Sequence, residues 1–214
     1  MFGNSKLLLL LMSRARVRTG EWELTTSSSP PGVTANDQFL YVDGDGGAIT
    51  SLTHDGTEVA SYEDPDKVTH SLTLAPGGLL FCVLGDNEDP EQDEIIALDA
   101  QTLQPRHRFG LSLLNDVRGM VVVGEELLVC DTGNDRLQVF SLAGEHRRSI
   151  TGEWERRPVA LCFVKDRLYL IEEAGDENDD ERELICPLRG RRIFVLSLQG
   201  DTLQVYTNPV EGHT

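Results

Sequence analysis

The chain is short of positive charge. Its 214 residues carry 19 Lys and Arg against 36 Asp and Glu, a formal net charge of −17. Phosphate-backbone binding runs on clustered Lys and Arg, so nucleic acid is not an expected partner. Cysteine is also scarce, with four in the whole chain, which excludes a small disulfide scaffold. Long apolar runs are missing. Leu7 to Met12 is six residues, against the roughly 20 that a membrane helix needs. Arg14, Arg16 and Arg18 follow it with no small-residue cleavage site, so no secretory signal and no membrane partner are expected. Residues 1 to 20 contain no acid, which resembles a mitochondrial transit peptide. The preferred expectation is a cytoplasmic chain in which Lys6 to Ser13 is a buried strand and Arg16 to Thr26 its polar partner.

What is present is a repeat. After residue 20 no stretch keeps a 3.6-residue apolar period. Short β-rich runs separated by Gly, Asp, Asn and Pro recur instead, which predicts an all-β fold. A strand anchor returns as Phe39-Leu40-Tyr41-Val42-Asp43, Leu79-Leu80-Phe81-Cys82-Val83, Leu127-Leu128-Val129-Cys130-Asp131 and Arg167-Leu168-Tyr169-Leu170-Ile171. A second anchor follows each one at Ile49–Leu52, Ile95–Leu98, Leu137–Phe140 and Ile193–Leu196. Gly56, Gly144 and Gly200 close the next hairpin in three copies, and Ala100-Gln101 stands there in the second. A third anchor precedes each first one, at Gly32-Val33, Ser71-Leu72, Gly119-Met120 and Ala160-Leu161. A weaker, polar strand ends each unit, at Glu58–Tyr62, His107–Phe109, His146–Ile150 and Thr202–Tyr206. One such four-stranded antiparallel sheet is apolar on both faces and cannot stand alone. Stacking neighbours face to face around an axis buries those faces, which is a β-propeller. A sandwich is the runner-up.

The third copy carries the most specific string: Val129-Cys130-Asp131-Thr132-Gly133-Asn134-Asp135-Arg136-Leu137-Gln138-Val139-Phe140, with Gly144 beyond it. It resembles the NHL repeat, in which a strand, an Asp-Thr-Gly-Asn-Asn-Arg-like turn, a second strand and a Gly hairpin succeed one another. Pro31-Gly32-Val33 and Arg157-Pro158-Val159-Ala160 resemble the Pro-x-Gly-Val opening of that repeat, with Ala160 in place of Gly. The resemblance implies a propeller of the six-bladed, TolB-like type. Residues 29–66, 67–110, 111–152 and 153–207 read as four blades, and 208–214 as a tail. Residues 1–28 read as an N-terminal strand segment, the outer strands of a preceding or closing blade. That makes four to four and a half blades, where six need roughly 250–300 residues. At the turn itself, Gly133 and Asn134 are expected to take positive φ. Asp131 is expected to accept N–H groups of the turn and to pair with Arg136.

Chemistry is sparse. Asp86 to Glu94 holds six acids and Glu172 to Glu183 eight, each between the second and third strands of a blade. Solvated loops are the simplest account, and docking of a basic protein partner or a divalent cation the functional ones. Asp43-Gly44-Asp45-Gly46-Gly47 resembles the start of a calcium loop, but His54 stands where the closing Glu belongs. No cofactor is expected, with calcium there the alternative. The histidines at 54, 70, 107, 146 and 213 show no metal spacing and read as surface residues. Cys82 and Cys130 occupy equivalent strand cores and read as buried free thiols, while Cys186 lies in an insertion. There is no Gly-x-Ser-x-Gly elbow, phosphate loop or His-Glu-x-x-His. No catalytic, cofactor, metal or binding residue is assigned on sequence alone. The primary expectation is a non-catalytic scaffold for protein–protein interaction, with self-association through open blade edges as a second partner mode. The family resemblance implies two alternatives. One is a metal-dependent hydrolase, lactonase-like enzyme or lyase working in the channel, where blade starts would offer Asn36-Asp37, His70 and Asn115-Asp116. The other is RNA binding, which the charge disfavours.

Overall fold

The computed structural model describes residues 32–44, 47–85, 93–154, 157–173 and 192–207, together with the backbone of 14–18 and 21–25. Every regular element among them is a strand, apart from one 3-10 turn at Thr132–Asn134. Strands β1 (Arg14–Arg18) and β2 (Glu21–Thr25) form a two-stranded ribbon whose register sets Arg16 opposite Glu23 and Arg18 opposite Glu21. The strand expected at Lys6 to Ser13 lies outside the described residues. Ala15 and Val17 alternate with arginines along β1 and stand in register with Leu24 and Trp22 of β2.

Four sheets of four antiparallel strands follow, each a simple meander. β3 (Val33–Ala35), β4 (Phe39–Asp43), β5 (Ala48–Thr53) and β6 (Glu58–Glu63) make the first. β7 (Val68–Ala75), β8 (Leu79–Gly85), β9 (Asp93–Asp99) and β10 (Pro105–Leu114) make the second. β11 (Val117–Val123), β12 (Glu126–Asp131), β13 (Arg136–Ser141) and β14 (His146–Ile150) make the third. β15 (Pro158–Val164), β16 (Arg167–Glu172), β17 (Arg192–Leu196) and β18 (Thr202–Thr207) make the fourth. These are the sheets that the four sequence anchors define.

The chain divides into two compact units, Met1–Ser112 and Leu113–Thr214. In the first, Tyr41, Ile49, Leu80, Leu84, Ile96 and Leu98 form one core between the first two sheets. The Tyr41 hydroxyl crosses that core to donate to the Ala100 carbonyl at 2.8 Å. In the second, Leu128, Leu137, Val139, Leu168, Phe194 and Leu196 do the same for the third and fourth sheets. β8 and β9 are buried along nearly their whole length, whereas β18 is exposed over all but its first residue. Burial on both faces of the middle strands is why their sequence is continuously apolar rather than alternating.

Arginines tie neighbouring sheets along their rims. Arg108 donates to Glu94 on its own sheet, and to Asp64 and the Tyr62 hydroxyl on the neighbouring one, at 2.8–2.9 Å. Arg148 donates to both carboxylate oxygens of Glu126 and to the Leu198 carbonyl of the next sheet. Backbone approach matters as much. A Cβ on Gly32 would sit 2.7 Å from Asp43 Oδ2 and 3.2 Å from the Ser71 nitrogen, and one on Gly119 2.9 Å from the Val159 carbonyl oxygen.

Candidate functional site

The polar chemistry of each sheet gathers where its second strand turns into its third. In the third sheet that turn starts at Asp131, whose side chain is fully buried. Its Oδ1 accepts from the Asn115 backbone N–H at 2.8 Å and from Asn134 Nδ2 at 2.9 Å. Its Oδ2 accepts from Arg136 Nε at 2.8 Å. The expected Asp131–Arg136 pair is there, because the two residues are directly opposite in register. The buried backbone donor belongs to Asn115, just ahead of β11, and not to the turn. Positive φ falls on Asp135, at 54°, and neither Gly133 nor Asn134 takes it. Gly133 is needed for space instead: a Cβ there would lie 2.5 Å from Asn115 Cγ. The Thr132 hydroxyl donates to the Pro158 carbonyl of the next sheet at 2.7 Å. One turn thus locks its own hairpin, the entry to its inner strand and the adjoining sheet.

The fourth sheet repeats this chemistry in a form the sequence conceals. Glu172, at the end of β16, is 2% exposed and accepts from Arg192 Nε at 2.6 Å and Nη2 at 3.0 Å. Arg192 also lies over the Phe194 ring, 5.0 Å from its centroid. Arg192 comes 20 residues after Glu172, so no local motif announces the pair.

The first sheet breaks the pattern. Asp43 ends β4 as Asp131 ends β12, and is 5% exposed. Its register partner is Ile49, where Asp131 faces Arg136. No cation answers this carboxyl among the described residues. Burial raises its pKa to about 7, and a hydrogen bond from the Gly32 backbone opposes that rise only in part. The buried Cys82 thiol is close by. Burial, and then the Asp43 charge, push its pKa well up, so it is an inert thiol. His70 and Asp93 approach one another over Gly85, whose absent Cβ would meet His70 Cε1 at 3.0 Å and Asp93 Oδ1 at 3.1 Å.

The blade-start residues do not hold equivalent places in their own sheets. Asn36 and Asp37 sit in the turn between β3 and β4, at the opposite end of their sheet from Asp43. There Asn36 Oδ1 accepts from the Gln38 and Phe39 N–H groups, and its Nδ2 donates to the Tyr41 hydroxyl. Asn36 is a structural turn residue. His70 lies on β7 at the end that meets Gly85. Asn115 and Asp116 precede β11. Asp116 belongs to an alternating ionic ring with Arg118, Arg157 and Glu173, at distances of 2.8–3.7 Å. Sequence reasoning missed this ring; its members come from three separate segments. Among the described residues no three His, Cys, Asp or Glu side chains converge as a metal site. The acidic insertions are rooted at the same strand ends, between β8 and β9 and between β16 and β17. Residues 86–92, 174–191 and the Asp45–Gly46 part of the calcium-like loop lie outside the described residues, as do Cys186 and His213. Cys82 and Cys130 are buried and free as expected; Cys162 is exposed. His54 and His146 are exposed, whereas His70 and His107 are half-buried, and His107 stacks on Phe109.

No family model and no curated protein matches the chain. Solved structures do. A protein of unknown function from Bacteroides caccae matches with a TM-score of 0.61 at 12% identity, over 90% of this chain and 66% of that one. Virginiamycin B lyase from Staphylococcus aureus matches with a TM-score of 0.61 at 15% identity, over 85% of this chain and 56% of that one. The WD40 repeats of RRP9 match with a TM-score of 0.58 at 14% identity, over 80% and 48%. The chain therefore spans between about half and two thirds of these structures. The all-β fold with four four-stranded blades is that of a β-propeller, while the NHL family itself is not identified by these matches. Among the described residues no helix is long and apolar enough to cross a membrane.

Proposed function

We propose that this chain is a non-catalytic propeller scaffold of NHL-like type, working in the cytoplasm without a resident cofactor, whose acidic insertions dock a basic protein partner. The observation that carries the reading is where those insertions are rooted. Each interrupts the second-to-third-strand turn of a blade, between strands paired along their length. At each root an acid–arginine pair is fixed, Glu94–Arg108 in one case and Glu172–Arg192 in the other. Clustered acids on rigid supports favour association with a basic surface through its field. WD40 repeats among the similar structures support a scaffold role, and the free buried thiols Cys82 and Cys130 support a reducing compartment. The test replaces residues 86–92, or 174–183, by Asn-Gly and compares captured proteins with those of wild type across salt concentrations. A partner lost by roughly tenfold in one variant, and weakened by salt in wild type, supports the reading. Equal, salt-insensitive capture by all three chains sinks it.

A second reading, an enzyme of lyase or hydrolase type, is favoured by Asp43, whose buried carboxyl has a pKa of about 7 in a fold shared with virginiamycin B lyase. Metal analysis of the purified protein, with Asp43→Asn and His70→Ala variants, separates the two. A stoichiometric divalent ion lost in both variants supports the enzyme; its absence from wild type removes the metal-dependent class.

A further inference from the structure

The four outer strands are not equally protected. A free strand edge invites pairing with another chain, and charged side chains are the usual guard. β6 carries Glu58 and Glu63, β10 carries Arg106 and Arg108, and β14 carries Arg147 and Arg148. β18 reads Thr-Leu-Gln-Val-Tyr-Thr, with no charge and no proline. Leu203 is 50% exposed, Val205 39% and Tyr206 49%. Among the described residues β18 pairs only with β17, and no described strand covers its outer edge.

We propose that the outer edge of β18 pairs antiparallel with β18 of a second copy of this chain, joining two fourth blades into one continuous sheet. Charge selects that occupant. Two chains of net charge −17 repel, and self-pairing of β14 about Arg148 would oppose arginine to arginine. Of the four outer strands only β18 carries no charged side chain, so two copies can pair along it in any register without setting like charges of the strand against each other. A two-fold axis through Gln204 sets Leu203 of each copy against Val205 of the other, on one face. That gathers four exposed apolar side chains into one cross-strand cluster. On the other face Thr202 meets Tyr206. Asp201, the nearest acid, falls opposite Thr207 and not opposite its own copy. One strand pair is a small interface by the standard of stable dimers, so the association is concentration-dependent. This makes specific the self-association mode and is independent of the acidic-loop reading, which concerns other residues and a different readout.

Sedimentation over a wide concentration range tests it. Wild type is expected to rise from 23.7 kDa toward twice that mass. Val205→Lys, at an exposed site, weakens the dimer by at least about tenfold. Val59→Lys on β6 leaves it unchanged. In a Cys162→Ser background, Gln204→Cys forms an intermolecular disulfide on mild oxidation, and Gln199→Cys does not. A wild-type chain that stays monomeric overturns the proposal, as does a dimer that Val205→Lys does not weaken. A monomer in which Val205→Lys exposes residues 14–25 to protease makes that ribbon the occupant and overturns the second copy.

Discussion

At the scale of single residues, the decisive contrast is between Asp131 and Asp43. They hold the same place at the end of a second strand, and one faces Arg136 where the other faces Ile49. The sequence made Asp131 legible because two of its side-chain partners, Asn134 and Arg136, lie within five residues. At Asp43 the string Asp-Gly-Asp-Gly-Gly gives no such local sign, because burial opposite Ile49 is set by the register of a neighbouring strand. Removing Asp131 leaves the Arg136 guanidinium half-buried and the Asn115 N–H without its acceptor. Asp131→Ala is expected to cost about 3 kcal/mol in denaturant unfolding. Arg147→Ala, at a pair exposed on both sides, should cost under about 0.5 kcal/mol. Equal costs would show that the turn is not the lock described. Asp43 behaves in the reverse sense. In the unfolded chain it loses its proton near the ordinary value of 3.8, and in the folded chain at about 7. The folded state alone holds the proton between these values. The contribution to stability is full below about pH 4, is lost as pH rises and is gone above about 7. Asp43→Asn should therefore gain on wild type as pH rises from about 4.5 to about 8, by up to roughly 4 kcal/mol. A difference that is flat with pH would refute the buried, unpaired carboxyl.

At the scale of elements, the repeat was readable because each strand's burial is written in its own residues. Hairpin glycines also carry a local signal. Gly56, Gly144 and Gly200 have φ of 91°, 86° and 98°, as the turn after each third strand demands. The second blade lacks that glycine and bends instead through Leu103, at φ 54°. Unreadable were features set by a neighbouring strand. The inner strands bulge at His70/Leu72, Val117/Gly119 and Pro158/Ala160, and no residue type marks those sites. The glycine of the Pro-x-Gly-Val opening makes sense only beside the next bulge. Gly32 abuts Ser71, and Gly119 abuts Val159 and Ala160. Ala160 at the same repeat position is exposed and tolerates its Cβ. Gly119→Ala should thus force the third and fourth blades to shift locally, at a cost of about 1–3 kcal/mol. Gly124→Ala, with open space at its Cβ but a positive φ, should cost about 1 kcal/mol through backbone strain alone. Circular dichroism melts of the two variants separate close approach from conformational strain, and a reversed order would refute the packing account.

At the scale of the whole molecule, charge is the property with competing consequences. The chain carries −17, and most of its arginines whose structure is described are committed to ion pairs along blade rims and strand ends. Salt weakens both terms. Screening removes repulsion among surplus acids, which stabilises the folded chain, and it also weakens exposed pairs such as Arg106–Asp99, where the arginine holds the carboxyl pKa at about 2. Exposed pairs are worth little each, and the buried ones, Asp131–Arg136 and Glu172–Arg192, are poorly reached by salt. Repulsion is summed over many more charges, and residues 86–92 and 174–183 hold 10 acids between them. Repulsion should win. Raising salt from about 0.01 M to about 0.15 M shortens the screening length from about 30 Å to about 8 Å. Over that range Tm should rise by several degrees. Replacing 86–92 and 174–183 by Asn-Gly should remove most of the rise, because those segments hold much of the excess charge. A Tm that falls with added salt in wild type would mean that the arginine clamps, not the acidic surplus, dominate the electrostatics of this propeller.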